Sequence, residues 1–414
     1  MANITTPLLG MVDVAVTGHL GKAAYLAAIA VGGSMFNMLY WLFGFLRMGS
    51  SGMTAQAYGA DDRRATDLIL YRALLVAFIA GAIIIALQTP ISGIVLRFMD
   101  PDPDTLGFAT RYFEICVWGA PAVLGTYALG GWFLGMQNSR AQMWMSIVIN
   151  LANIAVSLTL VYGFRLTIEG VATGTMTAQW LGLVTGLLIC RRYRPTGRSW
   201  SEIADMRQLR RFFAVNTDIF LRTVCLVAVT VWFTRAGAQQ GTVMLAVNAL
   251  LMQLFMLFSF FMDGFAFAGE ALCGRDVGRH DIGGLRRSIK ALFSWGAGLA
   301  LLFTLLYLTG GQWFLSLMSD DARVVESAGE YLWWAATIPI AGFAAFTWDG
   351  VFIGATRTRW MLISMAGATA LFFAACLALF PSLHNHALWL AFTLYLAARG
   401  LGQSILARRL YTNL

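Results

Sequence analysis

Charge is what this sequence has least of. Asp, Glu, Lys and Arg make up 12% of 414 residues, against 58% hydrophobic residues and a mean hydropathy of +0.68. A soluble domain carries about 25% charged residues, so water is excluded as the main solvent. Paired cysteines are also lacking. Cys116, Cys190, Cys225, Cys273 and Cys376 lie in or beside apolar stretches with no recurrent spacing, which excludes a disulfide framework and reads them as small core hydrophobes. The four histidines, His19, His280, His384 and His386, sit in loops or at segment ends without an acid cluster, so no metal site is expected. No nucleophile and base can be assembled at a common depth, which argues against an enzyme. No glycine-rich phosphate loop and no nucleotide-binding domain is present, so the chain itself needs no nucleotide and no cofactor. A cleavable signal is missing too, having neither a basic start nor an Ala-x-Ala site. The first apolar stretch, 3–20, therefore stays as a membrane helix. Its 18 or so residues, with Pro7 inside, fall short of the roughly 20 that span a bilayer, so either this helix is short or the start lies upstream of Met1.

What is abundant is apolar sequence that repeats. Gly131 to Arg140 reads GWFLGMQNSR and Gly350 to Arg359 reads GVFIGATRTR, 219 residues apart. The same offset lays Met53 to Gly59 over Leu272 to Gly278, and Phe98 and Met99 over Leu317 and Met318. Hydropathy divides the chain into twelve segments near 3–20, 26–57, 67–97, 108–134, 141–163, 168–190, 207–234, 241–273, 284–309, 326–352, 360–380 and 386–407. Forty-two glycines suit helices that approach closely in lipid. The polar stretch from Arg191 to Met206 marks the boundary between an N-terminal lobe, 1–198, and a C-terminal lobe, 199–414. With loops assigned alternately to the two sides, one side holds 20 Lys and Arg and the other 6, which places both termini in the cytoplasm of a multi-pass protein. Six segments return the chain to its starting side, so the halves are expected to share an orientation about an axis along the membrane normal. The net charge of +8 follows from this loop bias, and no nucleic-acid partner is expected.

Charges inside the segments are few and costly, about 2.5–3.5 kcal/mol each at bilayer centre, so each needs a partner, a proton or a watery cavity. Asp13 lies among aliphatic residues with no base within four positions. It reads either as a protonatable group or as a packing Asp bonded to Ser or Thr. Asp218 and Arg222, four apart, are expected to pair with each other. Asp263 and Glu270, seven apart, share a helix face and read as a cation site or as partners of neighbouring arginines. Asp349 reads as a gate or a helix-end anchor, and Arg47 and Arg399 complete the set. Asn150, Asn153 and Ser157 line one side of the fifth segment, and Thr173, Thr177 and Gln179 the sixth. They form a candidate polar network or substrate contact.

Four stretches carry a resemblance: Pro7 to Gly21 (PLLGMVDVAVTGHLG), Asn216 to Thr223 (NTDIFLRT), Asp263 to Ala271 (DGFAFAGEA) and Trp348 to Thr356 (WDGVFIGAT). In this order they resemble the multidrug and toxic compound extrusion (MATE) family, in its branch of DNA-damage-inducible F proteins. The resemblance implies an all-α polytopic membrane protein, with twelve transmembrane helices in two pseudo-symmetric six-helix lobes enclosing a V-shaped central cavity. It further implies export of small organic, cationic or amphipathic compounds in exchange for H+ or Na+. Its helix 1 acid, the protonation site, matches Asp13; the helix 5 partners match Asn153 and Ser157, the latter standing where many relatives have Asp. A hydroxyl stays neutral, so Asp13 would titrate with less like-charge coupling. A proton needs one titratable group and Na+ several oxygen ligands, so H+ is the expected coupling ion and Na+ the alternative. Arg47, Asp218, Arg222, Asp263, Glu270 and Asp349 are then structural or gating residues. A monomer in the bacterial inner membrane, among lipid and small organic substrates, is expected. The rival readings are a lipid-linked precursor flippase and, from another class, a membrane-embedded enzyme or assembly protein.

Overall fold

A computed structural model describes residues 23–410 except 100–101, 197–198 and 320. The first segment, with Asp13, lies outside the described residues. All regular structure among those described is helical. Among the described residues, ten stretches are long and apolar enough to cross a membrane. The last, Thr358–Leu410, contains two of the expected segments, because the chain breaks helical geometry at His384 (φ 47°, ψ −122°).

The chain forms two compact units that divide between Phe212 and Phe213. In the first, α1 (Ala23–Leu42) and α2 (Phe45–Gly59) form one apolar stretch bent at Phe43 and Gly44, followed by α3 (Arg63–Ala86). The expected third segment, 67–97, is in fact two helices. The helix stops at Leu87 and resumes as α4 (Gln88–Met99). Next come α5 (Pro103–Cys116), α6 (Ala120–Gly135), α7 (Ser139–Leu158) and α8 (Ile168–Arg191). The second unit holds most of α9 (Met206–Ala238), which begins in the first, then α10 (Thr242–Gly278), α11 (Ile282–Met318), α12 (Ala322–Gly354) and α13 (Thr358–Ala407).

One helix is central in each unit. In α12, 72% of the most apolar stretch is buried inside the protein, and in the α5–α6 stretch 67%, against 22–39% elsewhere. Both central helices carry the repeated GxFxG sequence, and the reason is a backbone approach. Gly131 of α6 lies against the Arg47 carbonyl of α2, and Gly350 of α12 lies against the Ala266 carbonyl of α10. One turn further on, a Cβ on Gly135 would come 2.7 Å from the Ser51 carbonyl and one on Gly354 would come 2.7 Å from the Glu270 carbonyl. Every residue of the second set stands 219 positions after its counterpart. The match extends to the turns: Asp61 and His280 both take φ 55°, Gln137 and Thr356 take φ 62° and 50°, and Asp62 and Asp281 cap the next helices through the amides of Ala65 and Gly284. Two sequences that differ at most positions thus build one scaffold twice.

A contact this tight predicts an outcome. Gly131→Val and Gly350→Val should each destabilise by about 1–3 kcal/mol, because the added carbons meet backbone that cannot rotate away. Gly298→Ala on α11, where nothing lies within 4 Å of an added Cβ, should be neutral or stabilising, since alanine is the better helix former. Thermal unfolding in detergent reads all three. Equal losses at Gly298 and Gly350 would contradict the close approach.

The connection between the expected halves is strapped to α3. Within it, Trp200–Ile203 forms a single helical turn, opened by a capping box in which the Ser199 amide donates to Glu202. Arg64 pairs with the Glu202 carboxylate, Arg72 donates to the carbonyls of Glu202 and Ile203, and Asp67 accepts from Thr196. The Ser199 amide, then Arg64, hold the Glu202 carboxyl below its ordinary range.

Candidate functional site

The shared scaffold carries different chemistry in each unit. In the first, α7 presents Asn153 and Ser157, both fully buried, to α8. Gly174 of α8 leaves the space that the Ser157 hydroxyl fills. Asn153 Nδ2 donates to Thr175 Oγ1 at 3.0 Å, a partner that the sequence reading missed in favour of Thr173 and Thr177. The Asn153 Oδ1 and Ser157 Oγ atoms have no hydrogen-bond partner among the described residues. Thr173 and Thr177 are half-buried, and Gln179 rests its side-chain oxygen against Gly119. Asn150, one turn before Asn153, is likewise half-buried. Arg47 lies within electrostatic reach of the Tyr127 hydroxyl.

In the second unit the polar centre is ionic. Asp349, 4% exposed on the central helix α12, takes Arg222 of α9 and Arg399 of α13 on one carboxylate oxygen. Gln403, one turn beyond Arg399, donates to the other oxygen at 2.6 Å. Three helices far apart in sequence meet there. The expected Asp218–Arg222 pair is corrected: Asp218 Oδ2 accepts from Thr358 Oγ1 at 2.9 Å, while Arg222 turns to Asp349. Four-residue spacing puts two side chains on one face, yet a buried carboxylate from another helix outcompetes a half-exposed neighbour. Asp349 is thus the anion of a buried cluster. Phe346 covers the Arg399 guanidinium at 5.5 Å. Asp263 is half-buried and Glu270 is 1% exposed, both on α10.

A second polar contact pins the break in α13. Asn385, next to His384, exchanges two amide hydrogen bonds with Asn248 of α10, at 2.8 and 3.0 Å, and Trp389 Nε1 donates to the same Asn248 oxygen at 2.8 Å. A broken helix in lipid needs such internal partners for its polar groups. The sequence pattern places 381–385 between two segments; the signal for a pinned break is Asn248, a carboxamide in an otherwise apolar run.

Comparison with known proteins matches this architecture. A family model described as MatE matches residues 1–159 and 218–377, that is, most of both repeats. DNA damage-inducible protein F of Escherichia coli is 39% identical over 415 residues, covering 100% of this chain and 90% of that protein. A probable multidrug resistance protein NorM of Xylella fastidiosa is 23% identical, covering 88% and 79%. Among solved structures, the Vibrio cholerae MATE transporter VcmN in its bent form superposes with a TM-score of 0.91 at 15% identity, covering 99% of this chain and 94% of that one. A multidrug resistance MATE family transporter in an outward-facing conformation gives 0.87 at 16% identity, covering 100% and 93%. With a relative this similar along its whole length and a family match in both repeats, the chain belongs to the MATE family of multi-pass membrane efflux transporters, and not to a family of enzymes.

Proposed function

We propose that this protein is a secondary active exporter of the bacterial inner membrane. It moves small organic compounds, cationic or amphipathic, out of the cell in exchange for H+, and Asp13 carries the proton. Both termini face the cytoplasm, a reading that the bias of loop arginines supports, and the protein works as a monomer with neither cofactor nor nucleic acid.

The observation that carries this reading is the state of Asp349. Two guanidinium groups and an amide occupy it, so it has neither the free oxygens nor the negative potential that a Na+ site needs. Asp218 is engaged by Thr358. The first unit instead leaves two buried acceptors open, Asn153 Oδ1 and Ser157 Oγ, and a protonated carboxyl group is the kind of donor such atoms lack. In this reading Asp13 works with neutral amide and hydroxyl oxygens, a set that suits a proton better than a metal ion.

Proteoliposomes loaded with a cationic dye test the coupling. Efflux is expected when a pH gradient alone is imposed and not when a sodium gradient alone is imposed. Sodium-driven efflux that survives loss of Asp13 but not of Asp263 would overturn the proton reading. Failure with every amphiphile, together with binding of a lipid-linked precursor, would favour a flippase.

A further inference from the structure

The ionic cluster of the second unit does not balance. Two guanidinium groups face one carboxylate, and among the described residues neither Arg222 nor Arg399 bonds a second acid. An unmatched charge in a low-dielectric interior is costly, so the surplus cation is retained against a penalty that a neutral side chain would avoid. The surplus belongs to Arg222. Arg399 is enclosed, with its side chain 2% exposed and Phe346 over its face. Among the described residues Arg222 makes a single hydrogen bond, from Nη2 to Asp349; its Nε, like that of Arg399, is buried without a partner, but its side chain keeps 10% exposure. A guanidinium offers five N–H donors, and those of Arg222 that Asp349 does not take can bond the oxygens of a carboxylate or phosphate. Asp349 meanwhile keeps Arg399 and Gln403 whether or not Arg222 stays. Asp218, one turn away on the same helix, has an oxygen committed to Thr358 and stands beyond ion-pair distance of Arg222.

We propose that Arg222 is a binding site for the acidic group of an amphipathic ligand, with the cluster of Asp349, Arg399 and Gln403 as the frame that holds it in place. Naming that ligand as a transported substrate rests on the exporter reading above, and extends it to acids and zwitterions. The site needs nothing that the first repeat could supply. The positions 219 residues before Asp349, Arg399 and Gln403 are Gly130, Trp180 and Val184, so the charge was installed in one half only.

The test is equilibrium binding to the purified full-length protein in nanodiscs of neutral lipid, with no gradient, so that failure of transport and failure of this site are read separately. The probe is the fluorescent acid 11-(dansylamino)undecanoic acid, compared with its methyl ester. The wild-type protein is expected to bind the acid about tenfold or more tightly than the ester, as a charge-assisted bond to a buried guanidinium should allow. Arg222→Gln should abolish the preference and leave ester affinity unchanged, while Arg222→Lys should keep part of it. Equal affinity of the wild-type protein for acid and ester would overturn the proposal without any variant, as would a full preference in a folded Arg222→Gln protein. Phosphatidylglycerol offers the same anionic chemistry from the membrane. Displacement of the acid by that lipid, at the mole fraction at which phosphatidylcholine does nothing, would reassign the site to a lipid headgroup and overturn its role in substrate binding.

Discussion

Asp13→Asn should abolish efflux driven by a pH gradient while leaving a folded protein that still binds substrate. An antiporter works because ion and substrate bias the same two conformations in opposite senses, and each can shift the equilibrium only by its differential affinity for the two states. Asparagine mimics the protonated acid in shape and in neutrality. A permanently neutral group binds no proton in either state, so the pH gradient no longer enters the cycle. Substrate exchange across the membrane, which requires no net proton movement, should survive better than concentrative efflux. In the proposed mechanism Ser157 supplies a hydroxyl and no second acid, so Ser157→Asp should move the pH profile of transport upward by like-charge coupling. Normal proton-coupled efflux by the Asn variant in proteoliposomes would remove Asp13 from the mechanism.

The largest effect on stability is expected at Asp349. Asp349→Ala removes the one anion between two buried guanidinium groups, leaving like charges facing each other at low dielectric. Breaking a buried ion pair in this way costs about 3–5 kcal/mol, a large share of the roughly 5–15 kcal/mol that holds an ordinary domain folded. Loss of a monodisperse peak in detergent, or a collapse of the thermal transition, would register it. The triple substitution Asp349→Leu, Arg222→Leu and Arg399→Met should recover most of the loss, because apolar side chains of similar volume often replace a buried ionic cluster without penalty. Arg222→Gln alone should be mild, since Asp349 keeps Arg399 and Gln403. Retention of full stability by Asp349→Ala would mean that the cluster contributes nothing to the fold.

Much of the architecture was legible because two strong signals agreed. Long apolar runs fixed nine segments within the described residues to within a few positions, and the GxFxG repeat announced the tight approach of α6 to α2 and of α12 to α10. Both are local or periodic, and both follow from elementary rules of packing in lipid. What was illegible was long-range. Asp349 meets Arg222 across 127 positions and Gln403 across 54, and nothing in either neighbourhood marks the partner. Helical spacing then suggested the wrong pair, Asp218 with Arg222. Thr175 was missed for a subtler reason: Thr173, Thr177 and Gln179 are more polar as a set, but the buried face of α8 runs through Gly170, Gly174 and Ala178. A glycine that seats Ser157 would have given the phase.

The carbonyl-to-glycine contacts have a mechanical meaning as well. Where backbone rests on backbone, neither helix can slide along the other without driving a carbonyl into a peptide plane, so α2 with α6 and α10 with α12 each behave as one stiff strut. Deformation during a transport cycle must then concentrate where the chain is already bent: at Phe43 and Gly44, at Leu87, and above all at His384, whose neighbours are tied by exchangeable side-chain bonds and not by buried backbone. A cross-link within a strut should leave the pump running. One that bridges the bend at His384 to α10 should stall it.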